Sequence, residues 1–403
     1  MYSLPIQIQS PQLERVSSVL IPDGENEFAL RVLRCLGEVP GLRISVLSRD
    51  KWAPTRFSRH TSRFLSHSID EADRALMEVV RDVAQQVGAD VILPTGFAGM
   101  RFVSRFRRDL AQVAHIPPLA SAEDLDRFAD KLLFAEILER EGIPYPKIVR
   151  LEARVSNTSQ LSGIRFPALV KPRNREAGSG IRLCETAHQA VDYLANQGDH
   201  SDFFVQEFVQ GFDIGCSVLC DQGQILAYTI QKGIAPAKKP FSPAAAIEFV
   251  QDKGVLESIA RLVSSVRWSG VANFDLVFDW QTMEAKVLEA NPRYWRSLHG
   301  SLQAGVSFPY LACLASCGIK FDCPEYRHVR YAGPASAMRL ILQNRLENES
   351  LIAGFAESGM RYIVRDPCAD LAIQLRKLGL KIQTTVSSSS RSFMEYLLLP
   401  LFR

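Results

Sequence analysis

Lys171 ends an apolar run, Ala168-Leu169-Val170-Lys171, and a small-residue stretch, Glu176-Ala177-Gly178-Ser179-Gly180, follows shortly after it. An ammonium at a strand end can reach phosphate oxygens, and small residues let backbone N–H groups approach the same charge. A lysine ahead of an ordinary surface hairpin has the same local pattern, and the Walker sequence G-x-x-x-x-G-K-[ST] is absent. A second group lies two-thirds of the way along the chain. Asp275 sits in Asn-Phe-Asp-Leu-Val-Phe, Glu289 in Val-Leu-Glu-Ala-Asn-Pro, Asn291 two residues on, and Arg293 after Pro292. Carboxylates in such apolar runs are costly unless paired or metal-bound. Period-2 geometry sends Glu289 and Asn291 to one side of their strand, and a turn over residues 279–283 would bring Asp275 beside them. Two carboxylates and an amide oxygen are hard donors of the kind Mg2+ accepts while it keeps waters and bridges phosphates. The plainer alternative is a hairpin with solvent-facing acids. Arg293 would steady charge on a transferring phosphoryl group or hold a carboxylate bidentately, or it is a surface arginine after a turn.

The elements that must place these residues follow from hydrophobic periodicity. Apolar runs at 16–21, 42–47 and 90–94 read as strands, with helical spacing over 26–36 and 69–87 between them. That alternation predicts a parallel sheet with helices on its faces. No GxGxxG follows the first strand, so no dinucleotide site is expected there. Arg101, Arg105, Arg107 and Arg108 read as a solvated helix face rather than a ligand surface. Pro117-Pro118 marks a break, and 124–141 reads as one amphipathic helix stopped by Gly142 and Pro144. Beyond it come strands at 168–171 and 203–206, a helix near 187–195, antiparallel alternation over 213–230, a helix at 256–266, and a hairpin of 270–278 with 285–289. The expected class is α/β, turning α+β in the nucleotide region. Three parts are expected: an N-terminal parallel-sheet domain over 1–122, a central domain over 123–325 with a lid subdomain about 166–209, and a small C-terminal extension over 326–403. In the last, 362–364 reads as a strand and 367–378 as a basic helix, while the apolar tail 393–402 reads as packing on its own domain or a dimer mate.

Bulk properties set the frame. The chain has 403 residues, 47% of them hydrophobic and 23% charged, with a net charge of +3. That is the profile of an ordinary multidomain enzyme, and so small a balance argues against a dedicated nucleic-acid binder. The pairs Cys216/Cys220 and Cys313/Cys317 have no His or further Cys to complete a zinc set. Reduced, mostly buried thiols in a cytoplasmic protein are expected. The first residues lack a basic and an apolar signal region, and no apolar run approaches the ~20 residues that span a bilayer.

Taken in chain order, Asp130-Lys131, the Phe166–Pro172 strand, Gly178-Ser179-Gly180-Ile181, Val205-Gln206-Glu207-Phe208-Val209, Asp213, Asp275, Glu289, Asn291 and Arg293 resemble the motif series of the ATP-grasp superfamily. Residues 291–309 look most like predicted carboxylate–amine ligases of the carbamoyl-phosphate-synthase-like group. The resemblance implies MgATP as the cofactor, with two magnesium ions, or manganese in their place, on Asp275, Glu289 and Asn291. It further implies Lys131 and Lys171 on the nucleotide phosphates, and Gly178, Ser179 and Gly180 as a mobile lid loop. The backbone at Glu207, Phe208 and Val209, helped by the Gln206 side chain, would take adenine, and Asp213 the ribose. Arg293 and Lys232 would position the acceptor carboxylate. The implied reaction is ligation of a small-molecule carboxylate to an amine through an acyl phosphate, in a protein that binds neither nucleic acid nor membrane and that could form a homodimer. Gly233, Pro240-Phe241-Ser242-Pro243 and Arg296 depart from the family pattern near the acceptor pocket. Arg296 either binds an acidic substrate or pairs with a neighbouring acid. Two other readings are open. One is a bicarbonate-using carboxylase or carbamoyl-phosphate-type enzyme, although no biotinyl Met-Lys-Met is present. The other is an inactive ATP-binding regulatory protein, which would have no need of the full set of charged residues.

Overall fold

Runs of buried aliphatic residues at the start of the chain become parallel strands, as their near-continuous hydrophobicity requires. The computed structural model describes residues 16–70, 73–152, 154–173, 179–236, 240–347 and 358–385. Gly178 and the apolar tail 393–402 lie outside the described residues. The first elements are β1 (Ser18–Ile21), α1 (Ala29–Leu36), β2 (Arg43–Ser48), β3 (Arg63–Ser66), α2 (Arg74–Val87), β4 (Val91–Ile92), α3 (Phe97–Arg105) and α4 (Arg107–Leu110). The sheet order is β3-β2-β1-β4 and every pair is parallel. β3 carries no strong sequence signal because it is a short, half-exposed edge. α1 and α2 start later than periodicity suggests. The Asn26 side chain accepts from the Phe28 N–H at 2.8 Å and keeps 22–28 a turn, and Asp73 caps α2 through Ala75 N at 2.9 Å. Arg101, Arg105, Arg107 and Arg108 lie exposed on α3 and α4, as expected.

α5 (Ala122–Ala129) and α6 (Lys131–Arg140) replace the single helix expected over 124–141. The chain leaves helical geometry at Asp130 (φ −82°, ψ 115°), whose carboxylate caps α6 by accepting from Leu132 N and Leu133 N. Next come β5 (Ile148–Arg150), β6 (Ala168–Pro172), β7 (Arg182–Cys184), α7 (Ala187–Ala195) and β8 (Phe203–Glu207). They form an antiparallel sheet, β5-β8-β6-β7, with a core of its own that includes Leu161, Val170, Leu194 and Val205.

The large sheet is built from β9 (Gly211–Asp221), β10 (Gln224–Ala235), β11 (Ala246–Val250), β12 (Gly270–Asp279), β13 (Glu284–Asn291) and β14 (Arg330–Ala332), in the order β13-β12-β9-β10-β11-β14. α8 (Lys253–Ser265), α9 (Leu298–Ala304) and α10 (Phe308–Ser316) fall between its strands in sequence. One continuous core runs from the N-terminal sheet into this one. The C-terminal helices are α11 (Pro334–Glu347), α12 (Met360–Arg365) and α13 (Pro367–Thr385). The strand expected at 362–364 is therefore part of a helix. Tyr362 stacks on His299 with ring centroids 3.9 Å apart, and this tertiary contact outweighs the β propensity of Tyr-Ile-Val. Among the described residues no helix is long and apolar enough to cross a membrane.

Candidate nucleotide and metal site

The hairpin of β12 and β13 does what period-2 reasoning asked of it. Asp275 faces Glu289 and Asn273 faces Asn291 across the pair, with an irregularity after Asp275. The Asn291 NH2 donates to Asp275 Oδ2 at 3.0 Å and to Glu289 Oε1 at 3.4 Å. The Asn273 NH2 donates to Asp275 Oδ1 at 2.9 Å. Burial and the adjacent Glu289 charge hold the Asp275 carboxyl well above the usual carboxylate range. Two acids pressed together in this way repel one another, and a divalent cation would relieve that repulsion. Among the described residues no cluster of three or more His, Cys, Asp or Glu stands ready for a metal. Two carboxylates alone suit Mg2+, which takes its remaining ligands from water and phosphate. Asn291 as placed turns its oxygen to Arg293, 3.0 Å from the guanidinium; a half-turn of the amide would offer that oxygen to a cation instead.

Cations reach the same carboxylates from two other elements. Lys131, at the first position of α6, has Nζ 3.7 Å from Glu289 Oε2 and donates to the Arg173 carbonyl at 3.4 Å. Lys171, on β6, donates to Gln206 Oε1 on neighbouring β8. Burial pushes the Lys171 ammonium down to about 8, opposed by Glu289 and reinforced by Lys131. Lys131, Lys171, Glu289 and Asp275 thus share one electrostatic site of two cations and two carboxylates. A polyphosphate is the natural complement. Arg293 lies beside it, its guanidinium 4.4 Å over the Phe28 ring and bonded to the Tyr294 carbonyl at 3.1 Å.

The remaining expected residues divide. Gln206 is buried, and the backbone N–H groups of Glu207 and Phe208 bond to Lys147 O and Pro167 O. Asp213 is exposed and lies opposite Val277 in the same pairing that sets Asp275 opposite Gly215, so it shares the face of Asp275. Ser179 is exposed beside Gly180, whose φ of +78° favours glycine. Lys232 does not join Arg293: strand alternation sends it to the face opposite Asp275, and its ammonium sits 4.5 Å over the Phe212 ring. Arg296 pairs with an acid, at 3.9 Å from Glu27.

Residues 128–297 match the family model described as an ATP-grasp domain. The chain contains an ATP-grasp domain. Over 315 residues the chain is 23% identical to a D-aspartate ligase from Enterococcus faecium (strain Aus0004), covering 72% of this chain and 74% of that one. A carbamoyl phosphate synthase large chain from Clostridium beijerinckii is 25% identical over 211 residues, 50% of this chain, and there the chain spans only 20% of the relative. Among solved structures, the biotin carboxylase domain dimer of the Hydrogenobacter thermophilus 2-oxoglutarate carboxylase, in complex with MgADP, ADP and bicarbonate, superposes with a TM-score of 0.57 at 16% identity, over 78% of this chain and 72% of that one. An L-amino acid ligase from Bacillus licheniformis gives 0.54 at 17% identity, over 74% and 73%. At these identities the structural likeness establishes the ATP-grasp fold.

The ATP-grasp domain also holds polar residues that the motif reading passes over. Ser217 donates to Asn273 Oδ1 at 2.8 Å, and Thr229 and Ser301 hydroxyls lie 3.2 Å apart, so a buried polar row crosses four strands behind Asp275. Asn273, two residues before Asp275, was detectable by alternation. Ser217 and Thr229 were not, because only the register places them in that row. Arg173 is a third such residue, donating to Asp130 Oδ2 at 2.9 Å.

Proposed function

We propose that the protein is an ATP-dependent carboxylate–amine ligase acting on small molecules, with an amino acid as one substrate. A substrate carboxylate oxygen bonds to the γ-phosphorus of ATP and ADP leaves. The amine nitrogen then bonds to the acyl carbon, its proton is lost, and phosphate leaves. The observation that carries the reading is the convergence of Lys131 and Lys171 with Glu289 and Asp275. In this reading the two ammonium groups orient the triphosphate, and the Asp275–Glu289 pair with Asn291 holds magnesium, which neutralises phosphate charge. Arg293, backed by Phe28, faces the acceptor. The hinge at Glu207–Val209, with Gln206, takes adenine, and Asp213 the ribose. Support for the substrate class comes from the D-aspartate ligase relative, which aligns along most of its length, and from the L-amino acid ligase fold neighbour.

The bicarbonate-using alternative has one observation in its favour, the fold neighbour solved with bicarbonate. A single assay separates the two. The protein is incubated with MgATP, hydroxylamine and a panel of amino acids beginning with D-aspartate, and both ADP and hydroxamate are measured. Hydroxylamine captures an acyl phosphate whatever the natural amine is. Ligation predicts ADP and hydroxamate in equal amounts with one class of amino acid. ADP release stimulated by bicarbonate, with no hydroxamate from any amino acid, would overturn it.

A further inference from the structure

Registers across four strands of the large sheet bring one more residue to the site. Gln231 on β10 lies opposite Gly215 on β9, Gly215 opposite Asp275 on β12, and Asp275 opposite Glu289 on β13. Residues directly opposed in antiparallel strands share a face. Glu289, Asp275, Gly215 and Gln231 therefore form one row, running directly into the carboxylates that meet Lys131 and Lys171. In the next row over, Asn291–Asn273–Ser217–Thr229, every side chain is engaged, Ser217 with Asn273, Asn291 with Asp275 of the adjoining row and Thr229 with Ser301, and the row is closed. The Gln231 row is not closed. Its gap is at Gly215, where a Cβ would sit 2.9 Å from Gln231 Nε2 and 3.2 Å from its Cγ. Glycine there leaves room for the Gln231 amide in its present position, and no left-handed φ is involved. The Gln231 side chain thus leans across Gly215, toward Asp275. Two strand spacings, about 10 Å, separate the backbones of Gln231 and Asp275.

Ser297, at the end of the Asn291–Ser297 loop, fixes the direction of the amide. Its hydroxyl donates to Gln231 Oε1 at 2.7 Å. That leaves the NH2 as a donor, and among the described residues it donates to no acceptor. A half-buried amide donor beside a metal and phosphate row, with space kept in front of it, has the makings of a carboxylate contact. Lys232, the neighbouring cation, points to the other face of the sheet.

We infer that Gln231 binds the acceptor carboxylate: its NH2 donates to the oxygen that is not phosphorylated, and then to the carbonyl oxygen of the acyl phosphate. Gly215 keeps the room and Ser297 sets the amide. This rests on the ligase reading and deepens it by naming a neutral donor that works with Arg293 on the substrate.

The test uses the full chain, MgATP, hydroxylamine and the amino acid of the panel with the greatest wild-type hydroxamate yield. Gln231→Met keeps the length and removes the donor. The expected result is a rise of about tenfold or more in the KM for the amino acid, the scale of a hydrogen bond to a charged group, with the KM for ATP within about twofold of wild type. Ser297→Ala, which leaves Gln231 in place but unaimed, is expected to raise the same KM by less, and Gly215→Ala by as much as Gln231→Met. A variant weakened only in its fold would change both KM values together. Unchanged amino-acid KM in Gln231→Met and Ser297→Ala, with an active wild type, overturns the role of Gln231 alone. No hydroxamate from the wild-type protein with any amino acid overturns the ligase reading and Gln231 with it.

Discussion

Lys171 gives the site its pH signature. In the proposed reading it meets phosphate as an ammonium, and burial holds it down to about 8 before ligand binding. Below that pH the charge is already present; above it a proton must be taken up with the nucleotide, so affinity falls by up to about tenfold per pH unit. Calorimetric titration of MgATP is expected to show the wild type losing affinity above pH 8 relative to Lys171→Arg, whose cation does not titrate there and which shares every other ionisation of the site; a wild type that keeps pace with Lys171→Arg through pH 9 would contradict the placement. Lys171→Ala is expected to weaken MgATP binding by roughly 1.5–3 kcal/mol, one lost charge-assisted contact, read in the same titration. Glu289→Gln is expected to lower turnover by about a hundredfold or more with an unchanged circular dichroism spectrum. Asp275 and Glu289 were legible in the sequence because acids are rare and costly inside apolar runs. Gln231 was not. Whether it or Lys232 faces the site depends on which residue of β9 lies opposite, and the register irregularity between Ile225 and Ala227 hides that from any single strand.

Asp130 shows the same limit at the scale of an element. Residues 124–141 contain neither Gly nor Pro and keep helical periodicity, so no strong breaker marks Asp130. The break forms because the Asp130 carboxylate caps α6 and holds Arg173, which arrives 43 residues later from the end of β6. The break also sets Lys131 at the first position of α6, within reach of the Glu289 carboxylate. Asp130→Ala is expected to cost about 1 kcal/mol for the lost cap, measured by urea denaturation, and to weaken MgATP binding as Lys131 loses its position. Retained affinity in a destabilised variant would reduce Asp130 to a cap alone. By contrast, β6, β8, α7 and the β12–β13 hairpin were readable, each from its own periodicity and turn residues. The hairpin turn is one example, with Met283 N donating to Asp279 O at 2.8 Å and Lys286 pairing with Asp279 at 2.7 Å.

Contacts that hold the whole molecule together were the least legible, since they join residues hundreds of positions apart. Arg34 of α1 donates to Asp366 Oδ2 at 2.9 Å, with both side chains buried; Ser58 Oγ and Arg59 N bond the same carboxylate at 2.8 Å each. The C-terminal helices are thereby fastened to α1 and the loop 58–59 beside the N-terminal sheet, while β14 completes the large sheet. Asp366→Asn is expected to cost about 1.5–3 kcal/mol, because charge-assisted bonds to Arg34, Ser58 and Arg59 are weakened while Asp370 still pairs with Arg34, and to lower the thermal midpoint without changing the KM for ATP; an unchanged midpoint would make the cluster incidental. Phe28 reaches from the N-terminal part of the chain to Arg293, so the candidate site draws on the first, central and last thirds of the chain. Whether this assembly forms an acyl phosphate is decided most directly by isotope transfer. With an amino acid labelled by 18O in its carboxylate, an amine and MgATP, one labelled oxygen is expected in each phosphate released, because the bond broken by the amine lies between the acyl carbon and that oxygen. Phosphate free of label, or label found in AMP instead, would contradict it.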